Sequence, residues 1–424
     1  MKKSIAILLA AALSLSLAGC GQGGTHQTET APDEMAVSAP QQEASIAAGL
    51  RLASQSSQTG FAGISTFLSS EANGTIRQRL MYVDYAAAAE SLPCADPACT
   101  HETDSCTAVV PKTGVWCGEI AAIDDDTILY VQRTLDRSKG GVYTMRKDGT
   151  EFKTLTETGP GIDIFGVAAL DETSVYLACN LFDENQESIR KYIGRVPLAG
   201  GELQEVGELE AGCSWIGTEQ RGLILQQQND EKGMAFISMN LDTGETTPLF
   251  TWKAKAPDYA GLAQKQGDKI YGFIDTVDSL HWSSLDGSDG DIPIQWPQEM
   301  NWPKQLAADL ELVTPDAASV VLYDPEHNIG KRYTITLADG SVKENPLTMA
   351  NSSDLVNLVG SNQDTVLIEL LHQEEWTETV GEDGTPQDKL NIISRLAVMP
   401  LQSFLAGSTD YIEVRSLVEG EQES

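Results

Sequence analysis

Asp124-Asp125-Asp126-Thr127-Ile128-Leu129-Tyr130-Val131, with a turn at Asp148-Gly149 further on, is the stretch from which the fold can be read. A polar turn enters a short β-branched and aromatic strand, and roughly 15 residues later a tight-turn pair marks a hairpin. The strand returns at 174–178 (SVYLA), 222–225 (GLIL), 269–273 (KIYGF), 319–323 (SVVLY) and 365–368 (TVLI). Between Tyr130, Tyr176, Ile224, Tyr271, Leu322 and Leu367 the separations are 46, 48, 47, 51 and 45 residues. Most of these strands follow a polar turn, as at Asp171-Glu172-Thr173 and Gln266-Gly267-Asp268. The hairpin turns keep the same beat at Gly200-Gly201, Thr243-Gly244, Asp286-Gly287 and Asp339-Gly340.

A unit of about 45 residues with four short strands is the size of a propeller blade, a small twisted sheet that buries both faces against its neighbours. A helical solenoid of similar period would space its apolar residues by three and four, which these segments do not. Six units follow from the strands above, and Phe61–Phe67 with Leu80–Asp84 supplies a seventh at the start. The sequence therefore predicts an all-β fold, a β-propeller of seven blades, with six or eight the neighbouring counts. The last unit finishes with Ile392–Met399 and Tyr411–Val414, and ring closure is expected to place terminal strands in one shared blade.

Upstream of the repeats, Lys2 and Lys3 precede an apolar run from Ile5 to Leu17, too short to span a bilayer and typical of a signal peptide. The run closes on Leu17-Ala18-Gly19-Cys20, which resembles the lipobox of bacterial lipoproteins. That resemblance implies cleavage before Cys20 and its lipidation, palmitate-type acyl chains included. Two chains suffice for stable anchoring where one binds only reversibly. Residues 21–59, rich in Gly, Gln, Ser, Thr, Ala and Glu, read as a flexible tether with a reach of roughly 35 Å. The expected organisation is a signal peptide at 1–19, lipidated Cys20 and tether at 20–59, a propeller at 60–417 with an insert at 92–106, and an acidic tail at 418–424. The expected location is the extracytoplasmic face of a cell membrane, which the lipid makes a partner. A formal net charge of −34 argues against nucleic acid, because such a field repels phosphate.

One segment breaks the rhythm. Cys94, Cys99, His101 and Cys106 form the pattern C-x4-C-x-H-x4-C, three thiols and an imidazole within 13 residues. Those are the ligand types of a closed tetrahedral zinc site. With Cys20 lipidated, Cys94, Cys99, Cys106, Cys117, Cys179 and Cys213 are an even set, and three disulfides would use all of them. An exported chain favours this disulfide reading over metal, leaving His101 a surface residue. Cys117 then pairs within the cluster, and Cys179 with Cys213 bridges successive repeats.

The lipobox, the tether, the Leu92-Pro93-Cys94 hairpin end, the cysteine segment and the repeated hairpins together resemble a group of lipoproteins of Gram-positive gut bacteria. Their repeats are similar to those of TolB-type and DUF5050 propellers. The resemblance implies architecture and location, and it brings no catalytic residue.

Catalytic motifs are scarce. The five histidines, His26, His101, His281, His327 and His372, form no H-E-x-x-H, and neither a G-x-S-x-G elbow nor a phosphate loop occurs. The acidic turn from Asp286 to Asp291 lacks the glutamate of a calcium loop and reads as a polar turn. Trp296 and Trp302 are candidates for stacking on a sugar or peptide, with packing between blades the competing role. The sequence thus points to a non-catalytic binding or scaffold propeller with a protein or glycan ligand. The alternative is a lipoprotein hydrolase or lyase acting on polysaccharide or cell-wall material, because glycosidase chemistry needs only two spaced carboxylates and the chain has 62 acidic residues.

Overall fold

The repeat strands are apolar on both faces. In Ser174–Phe182, the consecutive residues Val175, Tyr176, Leu177, Ala178 and Cys179 are all fully buried. A sheet of such strands must be covered on both sides. The computed structural model describes residues 49–70, 76–99, 101, 105–110, 115–134, 139–183, 187–229, 233–253, 262–274, 276–297, 307–324, 329–350, 352–380 and 386–416. Among these residues seven sheets form the blades of a β-propeller.

Blades 2 to 7 are antiparallel meanders in chain order. They begin with Val115–Ala122, Ile162–Leu170, Cys213–Glu219, Gln264–Gln266, Ala307–Val313 and Asn357–Ser361, which line the inside of the ring. The strands read from the sequence are the second of each blade, and the glycine turns join the third to the fourth. Blade 1 comprises Gly60–Ser70, Ile76–Asp84 and an outer position shared by Ala89–Ser91 and Val109–Val110. The signal segment, Cys20 and the tether up to residue 48 lie outside the described residues, as do Trp302 and residues 418–424. No helix among the described residues is long and apolar enough to cross a membrane.

Seven apolar clusters occupy the seven seams. Leu129, Val131 and Val142 of blade 2 pack on Ile164, Val175 and Leu177 of blade 3, for example. The seventh cluster joins Phe61, Met81 and Val83 of blade 1 to Leu367, Leu396 and Val398 of blade 7. The ring therefore closes without a shared blade, contrary to the expectation from sequence. Besides that cluster, Arg415 bridges in parallel to Ala89 and exchanges backbone hydrogen bonds of 2.9 and 3.0 Å with Ala88 and Glu90.

The segment that precedes blade 1 takes a different path. Arg51 and Leu52 pair with Leu170 and Ala169 on the inner edge of blade 3. On either side, the Leu50 carbonyl accepts from Thr218 of blade 4, and the Ser54 carbonyl accepts from the Ala122 amide of blade 2. Asn362 of blade 7 donates to the carbonyls of Ser57 and Gln58. Residues 49–58, grouped with the tether on composition, thus run along one mouth of the ring. Leu50 and Leu52, packed into the seam of blades 3 and 4, are the apolar residues that hold them there.

Acidic side chains build the turns at that mouth. Asp124 Oδ1 accepts from the amides of Asp126 and Thr127, both at 2.8 Å, and Asp171 does the same for Thr173 and Ser174. In the hairpins, Asp148, Asp286 and Asp339 each accept from the amide two residues on, at 2.9 Å. These hydrogen bonds hold their carboxyls below the usual range. Asp286 is occupied by Ser288, and Asp291 by His281 at 2.9 Å, so the acidic turn of blade 5 is a polar turn.

Two ion pairs anchor the interior, one across a seam and one within blade 6. Arg133 of blade 2 contacts both oxygens of Asp163 of blade 3 at 2.6 Å. Arg332, the largest fully buried side chain, grips Glu311 through two bonds of 2.7 Å and donates to the Val356 carbonyl of blade 7. Glu119 on the inner strand of blade 2 is different. Desolvation raises its carboxyl to about 7, against the opposing pull of Arg133.

Two outcomes follow from these features. The hairpin glycine Gly340, at φ +70°, sits where a Cβ would lie 1.9 Å from the Pro293 carbonyl oxygen of the preceding blade, whereas Gly287, at φ +92°, has open space. Gly287→Ala should cost about 1–2 kcal/mol for the left-handed backbone alone, and Gly340→Ala clearly more, read as urea midpoints. For Glu119 the folded pKa lies above the unfolded one, so folding is increasingly penalised as pH rises from the ordinary carboxylate range to about 7. Glu119→Gln should then stabilise the protein at pH 8 by up to roughly 3 kcal/mol and give no gain at pH 4.

Candidate metal centre

The cysteine segment interrupts the outer strand of blade 1. Its two halves pair with the same neighbour: Ser91, Glu90 and Ala89 with Tyr82, Val83 and Asp84, and Val110 and Val109 with Gln78 and Arg79. Because both ends are pinned on one strand, the intervening chain must fold back on itself. The Leu80 amide reaches the Ala108 carbonyl at 2.8 Å, and the Thr107 hydroxyl donates to the Pro93 carbonyl at 2.6 Å, drawing the ends together.

Within the loop, Asp96 organises the first turn. Its side chain accepts from the Ala98 amide at 2.9 Å and its carbonyl from the Cys99 amide at 3.1 Å. His101 adopts the left-handed region at φ +56°, and its amide donates to Cys99 Sγ at 3.4 Å. A non-glycine residue held there is strained, a feature that clusters at functional sites. His101 Nδ1 stands 3.3 Å from Cys106 Sγ. Cys106, Ala108 and Val109 form a buried floor, with Leu92, Cys94 and Cys99 packed around them.

The outcome is convergence: the ligand atoms of Cys94, Cys99, His101 and Cys106 all lie within 4.8 Å of one another. Around a tetrahedral zinc, Zn–S bonds near 2.3 Å and Zn–N near 2.0 Å place sulfurs about 3.8 Å apart and sulfur from nitrogen about 3.6 Å. His101 Nδ1 and Cys106 Sγ at 3.3 Å are already at that separation, and the 4.8 Å bound leaves the other pairs within about 1 Å of it. It is the one such group of three or more candidate ligands among the described residues.

Its electrostatics divide the thiols. Desolvation pushes the Cys94 thiol up, but hydrogen bonds from the Asp96 backbone and from Cys106 and Cys99 outweigh it and bring it below the ordinary value. Cys106 moves oppositely, raised to about 12 by burial and then by the neighbouring sulfurs. Three thiolates this close repel one another, and a bound cation is what would let all of them ionise.

The other predicted residues fall elsewhere. Cys94, Cys99, Cys106, Cys179 and Cys213 are free thiols, and the side chain of Cys117 lies outside the described set. Cys179 packs in the seam of blades 2 and 3, and Cys213 against that of blades 3 and 4, so the two thiols occupy separate clusters. Trp296 packs edge-on against Tyr333 at 5.3 Å, and its indole N–H donates to the Val277 carbonyl. No motif announces the Arg332–Glu311 pair, whose members are ordinary charged residues 21 positions apart.

No protein-family model matches the chain, and no curated protein does. Solved structures do resemble it. A prolyl endopeptidase studied for inter-domain dynamics aligns with a TM-score of 0.49 and 11% identity, covering 81% of this chain and 55% of that one. An oligogalacturonate lyase in complex with manganese gives 0.40 and 14%, covering 79% and 98%. TolB from Acinetobacter baumannii gives 0.35 and 14%, covering 78% and 80%. The chain spans little more than half the length of the peptidase. These likenesses assign the chain no role, and its propeller architecture rests on its own seven sheets.

Proposed function

We propose that this chain is a lipid-anchored, extracytoplasmic propeller that binds or scaffolds a protein or glycan rather than catalysing a reaction. The observation that carries the reading is the course of residues 49–58, which enter at one mouth of the ring and touch blades 4, 3, 2, 1 and 7 there. A tether that ends at that mouth attaches the ring there and leaves the loops of the opposite mouth uncovered. The loops there are the natural place for a ligand on a rigid repeat scaffold. The pairing of Asp163 and Glu311 with arginines supports a structural role for those interior carboxylates.

A second reading has one specific observation in its favour. Glu119 titrates near neutrality, as a general acid for polysaccharide cleavage would. Trp296 and Trp302 remain stacking candidates under either reading.

Two measurements test the proposal. Cys20→Ala should abolish labelling by an alkyne-tagged fatty acid and move the protein from the membrane fraction to the soluble one; unchanged labelling would overturn the anchor. Glycan-array and cell-wall pull-down assays should report binding with no turnover of the bound material. Turnover that Glu119→Gln abolishes would replace the binding reading with the enzymatic one.

A further inference from the structure

The insert is built into a seam as well as into a loop. Gly149, at φ +80° in the hairpin of blade 2, lies so close to it that a Cβ there would stand 2.4 Å from the Pro93 carbonyl oxygen and 2.5 Å from the Cys94 amide nitrogen. The turn that starts the cysteine loop is therefore the seat on which the next blade's hairpin rests. Beside this contact, Lys147 of the hairpin donates to the Asp125 carbonyl and lies 5.1 Å over the Tyr82 ring of blade 1. At two other seams the hairpin glycine meets ordinary outer-strand backbone: Gly244 faces the Val206 carbonyl and Gly340 that of Pro293. At this seam the outer strand is broken, and its two halves are separated by residues 92–108. With the strand broken, Pro93 and Cys94 have no ladder, and only the Thr107 hydroxyl bond and the packing of Cys94 on the small floor around Cys106 hold the seat.

We propose that Cys94, Cys99, His101 and Cys106 bind one divalent cation of the zinc class, and that this ion is a clamp holding the seat for the blade 2 hairpin. Three sulfurs and one imidazole nitrogen satisfy a tetrahedral soft-to-borderline cation completely, leaving no open position for substrate or water. The site is therefore structural. Cys94 and Cys106, at opposite ends of the loop and already close, are locked together by the metal, which does across the break what a continuous strand does in the other blades. The Cys99 sulfur accepts the His101 amide, the outer-shell bond expected for a metal thiolate, and the strained backbone at His101 is held by its ring's ligation. Binding displaces the thiol protons to solvent, so affinity should fall as pH falls. A disulfide fits the geometry less well, because joining any two of the three sulfurs leaves the third thiol and the imidazole without the role their convergence gives them.

The test uses the full chain purified without added reductant for the metal and thiol counts, and a reduced, metal-stripped sample reloaded with zinc or cobalt alone for binding. Elemental analysis should find one zinc per chain, and cobalt should give the absorption of a tetrahedral thiolate site. A free-thiol count after denaturation should find Cys94, Cys99 and Cys106 all unbridged. Cys106→Ser and His101→Ala should weaken binding by more than the roughly 10–100-fold that loss of an outer-shell partner causes, while Cys213→Ser should bind as the parent does. Since ligand variants can fail to fold, the clamp is read on the unaltered chain. Removing zinc with a chelator should speed hydrogen exchange at residues 92–99 and 146–150 and leave the hairpin at 240–245 unchanged. A missing pair of thiols with no metal bound would overturn the site in favour of a disulfide. Equal binding by Cys106→Ser would show adventitious metal, and exchange at 146–150 indifferent to chelation would overturn the clamp.

Discussion

Everything in this molecule follows from the need of small two-faced sheets to be covered twice. No blade can stand alone, because the residues that make its strands stable as strands, such as Val175, Tyr176 and Leu177, project to both sides. A ring meets the requirement with no sheet left at an end, and each seam contains its own apolar cluster. Polar contacts are secondary. The arginine clips between blades 2 and 3 and between blades 6 and 7 sit beside seams that apolar side chains already fill.

The acidity of the chain acquires a meaning in this setting. Asp124, Asp171, Asp148, Asp286 and Asp339 are turn builders, each satisfying backbone amides that the strand ladders cannot reach. Clustered carboxylates that look like a cation site in the sequence are thus spent on local geometry. The candidate metal centre arises from soft ligands instead, in the one blade whose outer strand is divided.

What could be read from the sequence was what is local. The beat of second strands, the aspartate-led turns and the hairpin glycines each reside within a few residues, and they reappear in place. The ligand set of the insert was equally visible, but its convergence depends on both halves of a broken strand pairing with Ile76–Asp84, which no spacing reveals. The route of residues 49–58 was missed because composition suggested a tether, whereas two leucines and an edge of blade 3 decide the matter. Closure was misjudged for a related reason: an apolar seam between blades 7 and 1, with Arg415 reaching Ala88 and Glu90, makes a shared blade unnecessary.

The course of the first described residues also sets how the ring would bear load. A pull applied at Gly49 reaches the body through Leu50 and the two-residue pairing of Arg51 and Leu52 with blade 3, a short ladder that can peel one bond at a time. Only after it and the Ser54 bond to Ala122 of blade 2 have yielded does tension arrive at Ser57 and Gln58, where Asn362 fastens the same segment across the single seam that the chain does not itself connect. The strap therefore works as a mechanical fuse, giving way at blade 3 before stress reaches the joint whose opening would unmake the ring.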